Sequence, residues 1–588
     1  MFSKRHSIVA VLTTCAMMMT APAVASGDDT HEPQSRHEAP RPGHDYSISV
    51  EEQTTQKGLW EPLLGMFGHT SAAADVNGDG WVDLYVGGFY QQLPWDRFFR
   101  GEIDDRGATE ISPDRLLLGG PDGFEPDPTF PEMRDGSSSG SAFADLDNDG
   151  DLDLLVSHYY PYEFASQDPP PTNGQQVVAL RNDDGRFTRV GQVADEVAAR
   201  SLAIADVDGD GNQDFFVIED VYYEDDLGPA SSRLYLGDGA FGFEEATSAS
   251  GLPDDLSGLG VVAADLNADG WPDLFVSGSL RGKDVPDGEG TYQRARIFIN
   301  DGGDGFIEAD GSEFTMVSQR WLDESAGVAV GDLNRDGLHD IVVGSHPYPA
   351  LNTLWPQPVH IYLNQGNDED GLPTFADVTA ETGIGAVDTK PAHVTLADMD
   401  NDGWLDIVTG VSVGDGTEPA IFRHAGVDGG IPQFDTPSGL HDERLPSPEV
   451  AEWDRIGITR YWPTGVNADF DNDGRVDLFG VEWFPDLPSR YWENTSTAGN
   501  WLKVDVSAES ALGSTVNVYR PGDRQRGKPP IFSRQVLSTE SYGGGALHTL
   551  HVGLGSLRAV EVEVIGTAPT RERATLHARA GETIHVDL

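Results

Sequence analysis

One nine-residue pattern, Asp-x-(Asp/Asn)-x-Asp-Gly-x-x-Asp, occurs seven times in this chain, beginning at Asp75, Asp145, Asp206, Asp265, Asp332, Asp398 and Asp469. The copies are 70, 61, 59, 67, 66 and 71 residues apart. One copy would be a weak signal. Seven in near-regular register describe a chain built from one repeated unit, in which each unit buries its apolar face against the next.

The chemistry of the pattern is calcium chelation. Calcium takes six to eight hard oxygens at about 2.3–2.6 Å and tolerates irregular geometry. Carboxylates at alternate positions converge on one ion only where the chain turns sharply, and the sixth-position glycine supplies that turn. By analogy with other short calcium loops, the seventh residue gives a backbone carbonyl. The expected ligands are Asp75, Asn77, Asp79, Trp81 and Asp83 in the first loop, and Asp145, Asp147, Asp149, Asp151 and Asp153 in the second. They are Asp206, Asp208, Asp210, Asn212 and Asp214 in the third, and Asp265, Asn267, Asp269, Trp271 and Asp273 in the fourth. The fifth offers Asp332, Asn334, Asp336, Leu338 and Asp340, and the sixth Asp398, Asp400, Asp402, Trp404 and Asp406. The seventh offers Asp469, Asp471, Asp473, Arg475 and Asp477. Acidic turns that use Asp and Gly for turn propensity alone would not repeat an aspartate three residues after every glycine. Sodium and magnesium are the alternative ions, magnesium being the poorer match because it demands a tighter octahedron.

A helix-loop-helix calcium hand needs a bidentate glutamate at its twelfth position. Here the twelfth residues are Val86, Val156, Val217, Val276, Val343, Thr409 and Gly480. The flanks are short and rich in β-branched and aromatic residues, as in Leu338-His-Asp-Ile-Val-Val343, so each loop is expected to join two strands of a hairpin. A second hairpin signal follows each of the first six loops, for example Ile297-Phe-Ile-Asn300 leading through a glycine turn to Phe306. Four strands per unit is the plan of a propeller blade. The expected fold is therefore all-β, a seven-bladed β-propeller with calcium-binding loops, sealed by a strand from residues 46–68 and followed by a small C-terminal β-sandwich.

These units resemble FG-GAP (or VCBS) repeats, the calcium-binding blades of integrin α-chain heads and of many secreted bacterial proteins. Phrases such as Phe375-Ala-Asp-Val-Thr-Ala-Glu-Thr-Gly-Ile384 are similar to the bacterial branch. The resemblance runs from about residue 60 to 497 and implies a metal site at each acidic loop. Residues 500–588 instead read as alternating strands from Trp501, Thr515, Phe532, Leu547, Ala559 and Thr583. They resemble an ASPIC/UnbV domain through Leu512-Gly-Ser-Thr-Val-Asn-Val518, Ser541-Tyr-Gly-Gly-Gly545 and Leu550-His-Val-Gly-Leu-Gly555. Two departures stand out: glycines replace the polar segment after the Ser-Tyr pair, and Val564-Ile-Gly566 lacks the following Trp-Pro-x-Gly.

The N-terminus reads as an export signal over residues 1–25. Lys4 and Arg5 precede an apolar run, Ile8 to Met19, too short to span a bilayer, and Ala23-Val24-Ala25 fits a cleavage site. The one cysteine, Cys15, lies inside that run, so disulfides cannot hold the exported fold. Residues 26–57 read as a polar linker. No stretch is long and apolar enough for a transmembrane helix. The formal net charge of −60 repels phosphate backbones, which argues against nucleic-acid binding, and the acidity suits a periplasmic, cell-surface or secreted setting.

The calcium loops all fall between first and second strands, so they share one face of the expected ring. The connections between second and third strands share the other face and are aromatic. Tyr90, Trp95, Tyr159, Tyr160, Tyr223, Trp355 and Trp483 are the expected contacts for a glycan or an extracellular protein. His69, His158, His346 and His393 are placed near the ring axis or that face. No nucleophile elbow, zinc motif or dinucleotide fingerprint is present. Three classes of function remain: a calcium-stabilised binding or adhesion module, a secreted carbohydrate-active enzyme using the funnel, and a structural scaffold. The sequence leaves the oligomeric state open.

Overall fold

The computed structural model describes residues 46–64, 66–90, 113–133, 137–159, 176–195, 197–219, 232–281, 291–309, 314, 325–346, 359–385, 391–413, 418–437, 462–482 and 488–588. The expected export signal and the first part of the linker lie outside the described residues. Residues 46–588 form one compact unit.

The fold is all-β and propeller-like, built from repeated four-stranded antiparallel sheets. The first repeat runs Phe67–Ala74, Asp83–Tyr90, Arg115–Leu118 and Glu125–Pro126, hydrogen-bonded in chain order. The repeats that begin at Ser137, Ala199, Val261, Ser325 and Val394 keep this order. The fourth adds a two-stranded ribbon, Ser279–Arg281 with Thr291–Gln293, between its second and third strands. In the seventh repeat, Gly465–Ala468, Asp477–Gly480 and Arg490–Asn494 supply three strands, and Val50–Glu52 supplies the fourth by pairing with Arg490–Asn494. This strand lies within the residues 46–68 expected to seal the ring, and it takes in the end of the segment also read as a linker. Ile48 and Val50 pack against the core beside Trp462 and Trp492, which gives this short strand its anchor. The first strands touch one another in sequence, and that of the seventh repeat touches that of the first.

Period-two alternation explains why the first strand of the fourth repeat is apolar at every position. In Val261–Ala264, Val261 and Ala263 face the third repeat, while Val262 and Ala264 face the fifth. This inner strand is buried on both sides, so it reads as a continuous apolar run.

The C-terminal residues form two further sheets. One pairs Asn500–Val506 with Thr549–Gly555 and, in parallel, with Thr583–Val586. The other runs Phe532–Gln535, Thr515–Tyr519, Ala559–Ile565 and Arg573–Arg579. Their apolar faces share a core that continues into the repeats through Leu396, Leu405 and Leu333. Between these sheets a hairpin, Thr539–Glu540 with Gly544–Gly545, enters the ring of first strands and touches those of the first four repeats, the fifth and the seventh. Ser541 exchanges backbone hydrogen bonds with Val328, and the Thr70 hydroxyl donates to the Gly543 carbonyl. Tyr542 is buried with Leu259, Ala326 and Ala392. Gly543 has φ 78°, and a Cβ there would sit 2.4 Å from the Ser139 carbonyl oxygen, so only glycine fits.

Candidate metal sites

The seven loops share one hydrogen-bonding plan. The first-position aspartate receives the backbone N–H of the sixth-position glycine on Oδ2: Gly80 to Asp75 at 2.8 Å, Gly270 to Asp265 at 2.8 Å and Gly474 to Asp469 at 2.9 Å are examples. The ninth-position aspartate braces the loop at both ends. Its Oδ2 accepts from the second loop residue, as in Val207 to Asp214 at 2.8 Å. Its Oδ1 accepts from the end of the third strand, as in Asn300 to Asp273 at 2.9 Å. These bonds use some of the lone pairs of each carboxylate and leave others free of backbone donors. The turn is completed by a fourth-position residue with positive φ, from 54° at Asn401 to 74° at Gly209.

The result is a set of carboxylates held close together. Asp145, Asp147 and Asp153, Asp206, Asp208 and Asp210, Asp398, Asp400 and Asp406, and Asp469, Asp471 and Asp477 each bring oxygens within 4.8 Å of one another. In the first, fourth and fifth loops an asparagine amide takes the third place. Burial, reinforced by neighbouring carboxylates, raises Asp83 to about 7 and Asp153 and Asp214 to about 8. The same causes hold Asp273, Asp340, Asp406 and Asp477 well above the usual carboxylate range. Asp147 Oδ1 is buried and no donor reaches it. A hard-oxygen donor set with a buried, unpaired oxygen matches a cation such as calcium. The groups that would hold it are the side chains at the first, third, fifth and ninth positions and the backbone carbonyl at the seventh.

The structure also places cations of the chain itself around two loops. Arg423 reaches Asp400 at 2.6 Å and Asp402 at 3.1 Å. Lys503, from the C-terminal sheet, lies 2.8 Å from Asp469, and Lys57 lies 3.2 Å from Asp471. Sequence reasoning missed these three. Arg423 lies in the third strand of the sixth repeat, outside the nine-residue pattern. Lys503 had no signal, because it reaches the ring from the C-terminal sheet.

The four singled-out histidines separate. His69 lies edge-on to Tyr542 at 4.9 Å, His346 is 5.6 Å from it, and His393 hydrogen-bonds the Ser541 hydroxyl. His158 sits instead 3.3 Å from the Gln176 carbonyl. Burial lowers His69 and His393 to about 3, so both are neutral packing groups at pH 7. Of the expected ligand contacts, Tyr159 is described. It is buried, with the Arg200 guanidinium 3.7 Å from its ring centre and Phe89 stacked at 6.1 Å. Tyr90 ends a strand, but its side chain lies outside the described residues, as do Trp95, Tyr160, Tyr223, Trp355 and Trp483.

A cavity of about 330 Å³ lies between the first strands of the sixth and seventh repeats and the C-terminal sheet. One face of that sheet, Lys503 and Asp505 with their cross-strand partners Thr549, His551, Thr583 and His585, lines it. Asp505 accepts from Thr549 at 2.8 Å and pairs with His585 at 2.7 Å.

The FG-GAP-like repeat family matches residues 75–156 and 218–276. Cartilage acidic protein 1 of Homo sapiens is 23% identical over 520 residues, covering 75% of this chain and 70% of that protein. The Mus musculus protein of that name is 24% identical over 452 residues, covering 73% of this chain and 61% of its own length. Among solved structures, exotype rhamnogalacturonan lyase YesX is similar at a TM-score of 0.35 and 10% identity, covering 72% of each chain. The chain carries FG-GAP-like repeats and is a relative of cartilage acidic protein 1 along three quarters of its length.

Proposed function

We propose that this is an exported, calcium-stabilised binding protein: a seven-bladed propeller with an ASPIC/UnbV-like β-sandwich over residues 500–588, recognising glycans or extracellular proteins. Calcium serves the fold. The ion supplies the positive charge that lets three or four carboxylates per loop stay ionised at close range, and in a chain whose one cysteine lies in the expected leader it takes the place of disulfides.

The observation that carries binding over catalysis is the axial hairpin. Tyr542 and its glycines fill the space where a funnel enzyme would hold its substrate, and the histidines beside it are buried and neutral. A ligand is then left with the face of the second-to-third-strand connections, where Tyr159 and Arg200 lie, or with the outer rim. A glycan array on the calcium-loaded protein, followed by assay for reducing-end release from any bound sugar, tests this. Binding without turnover is expected. Turnover would establish the enzyme, and the absence of any glycan ligand would direct the search to protein partners through surface capture.

A further inference from the structure

The fourth residue of each loop lies between the third and fifth donors, and in three consecutive loops its side chain reaches into the next repeat. Asn401 Nδ2 donates to the Gly474 carbonyl at 2.8 Å, and Asn472 Nδ2 donates to the Gly80 carbonyl at 2.8 Å. The Arg335 guanidinium donates to the Gly403 carbonyl and lies 3.4 Å from the centre of the Trp404 ring. The acceptors are the sixth-position glycines of the sixth, seventh and first loops. The contacts therefore run from the fifth loop to the sixth, to the seventh, and across the junction between the last repeat and the first.

The acceptor peptide has a second role. Its N–H, on the seventh residue, binds the fifth-position carboxylate of its own loop: Trp404 to Asp402 at 3.0 Å, Arg475 to Asp473 at 2.9 Å and Trp81 to Asp79 at 2.9 Å. Holding the carbonyl of this peptide fixes the plane that aims the fifth carboxylate. We infer that these four loops take up calcium as linked neighbours. An ion that orders one loop holds its sixth-position carbonyl in place. That carbonyl orders the fourth-position side chain of the preceding loop, and with it the backbone between two of that loop's donors. This rests on the calcium reading of the loops.

Asn472→Gly tests the linkage without backbone strain, because glycine already occupies this position, with positive φ, at Gly78 and Gly209. The metal-free full-length chain is titrated with calcium by calorimetry, and its melting temperature is read with and without the ion. The wild type is expected to bind with a slope steeper than that of independent sites. N472G should bind the same number of ions with a shallower slope, and its half-saturation should rise roughly three- to tenfold, the size of one net hydrogen bond. N401G should behave alike. A binding curve superimposable on the wild type would overturn the linkage, whether or not N472G melts lower. Calcium uptake by independent sites in the wild type would overturn the linkage alone, whereas no uptake at all would remove the calcium reading along with it.

Discussion

Tyr542→Ala tests whether the hairpin inside the ring is part of the core or merely rests there. Tyr542 is 1% exposed and shares its cluster with Leu259, Ala326 and Ala392, which come from the fourth and fifth repeats and the edge of the sixth. His69 and His346 meet its ring at 4.9 Å and 5.6 Å. Truncation removes an aromatic ring from a site whose walls are backbone-paired strands and cannot collapse inward, so the full cavity penalty applies. Aromatic-to-alanine changes in such cores cost about 3–5 kcal/mol, a large share of the roughly 5–15 kcal/mol that holds a typical domain together. Urea unfolding in saturating calcium, followed by tryptophan fluorescence, reads the change as a lower midpoint at constant slope. A loss below about 1 kcal/mol would show that the hairpin is not packed as described, and the argument against a funnel enzyme would fall with it.

Three other outcomes follow from the same geometry. Asn494→Ala removes donors to the Met399 and Val476 carbonyls, both at 2.9 Å, and should cost about 1–3 kcal/mol in the same urea assay; no change would deny the inter-repeat clasp. The metal-free protein should lose stability as pH rises. Asp83, Asp153 and Asp214 ionise near 3.8 when unfolded but at about 7 to 8 when folded, so the folded state holds extra protons, and stability falls between about pH 4 and 8. Calcium should cancel or reverse that trend, and scanning fluorimetry across pH 5–8 checks both. Removing residues 498–588 takes away the axial hairpin and part of the shared core, so residues 46–497 alone should show no cooperative calorimetric transition; a sharp one would show the ring to be self-sufficient.

The loops and the strands beside them were legible because their signals are local. Nine residues fix each acidic turn, and short apolar runs such as Val261–Ala264 fix the strands around it. The glycines after Tyr542 were visible as a departure from the family pattern, but their purpose was not. The contact that explains them, from Thr70 to Gly543, spans 473 residues, and no local pattern encodes it. The strand Arg573–Arg579 escaped notice because most of its residues face solvent, leaving only a weak apolar alternation. The sealing strand expected from residues 46–68 is Val50–Glu52, and its exact place was not legible, since three residues paired to an edge need little hydrophobicity of their own. Lys503 and Lys57 reach the seventh loop from distant segments, so the partial neutralisation of that loop could not be read from its own residues.

Thermal unfolding of the full-length chain, first stripped of metal and then returned to millimolar calcium, tests the account most directly, with bound ions counted by atomic emission. One site filled at about 100 times its dissociation constant stabilises the fold by about 2.7 kcal/mol. Several filled loops should therefore raise the melting temperature by many degrees and take up several ions per chain, toward seven. An unshifted melting curve with no calcium retained would contradict the claim that a divalent ion holds these aspartate loops together.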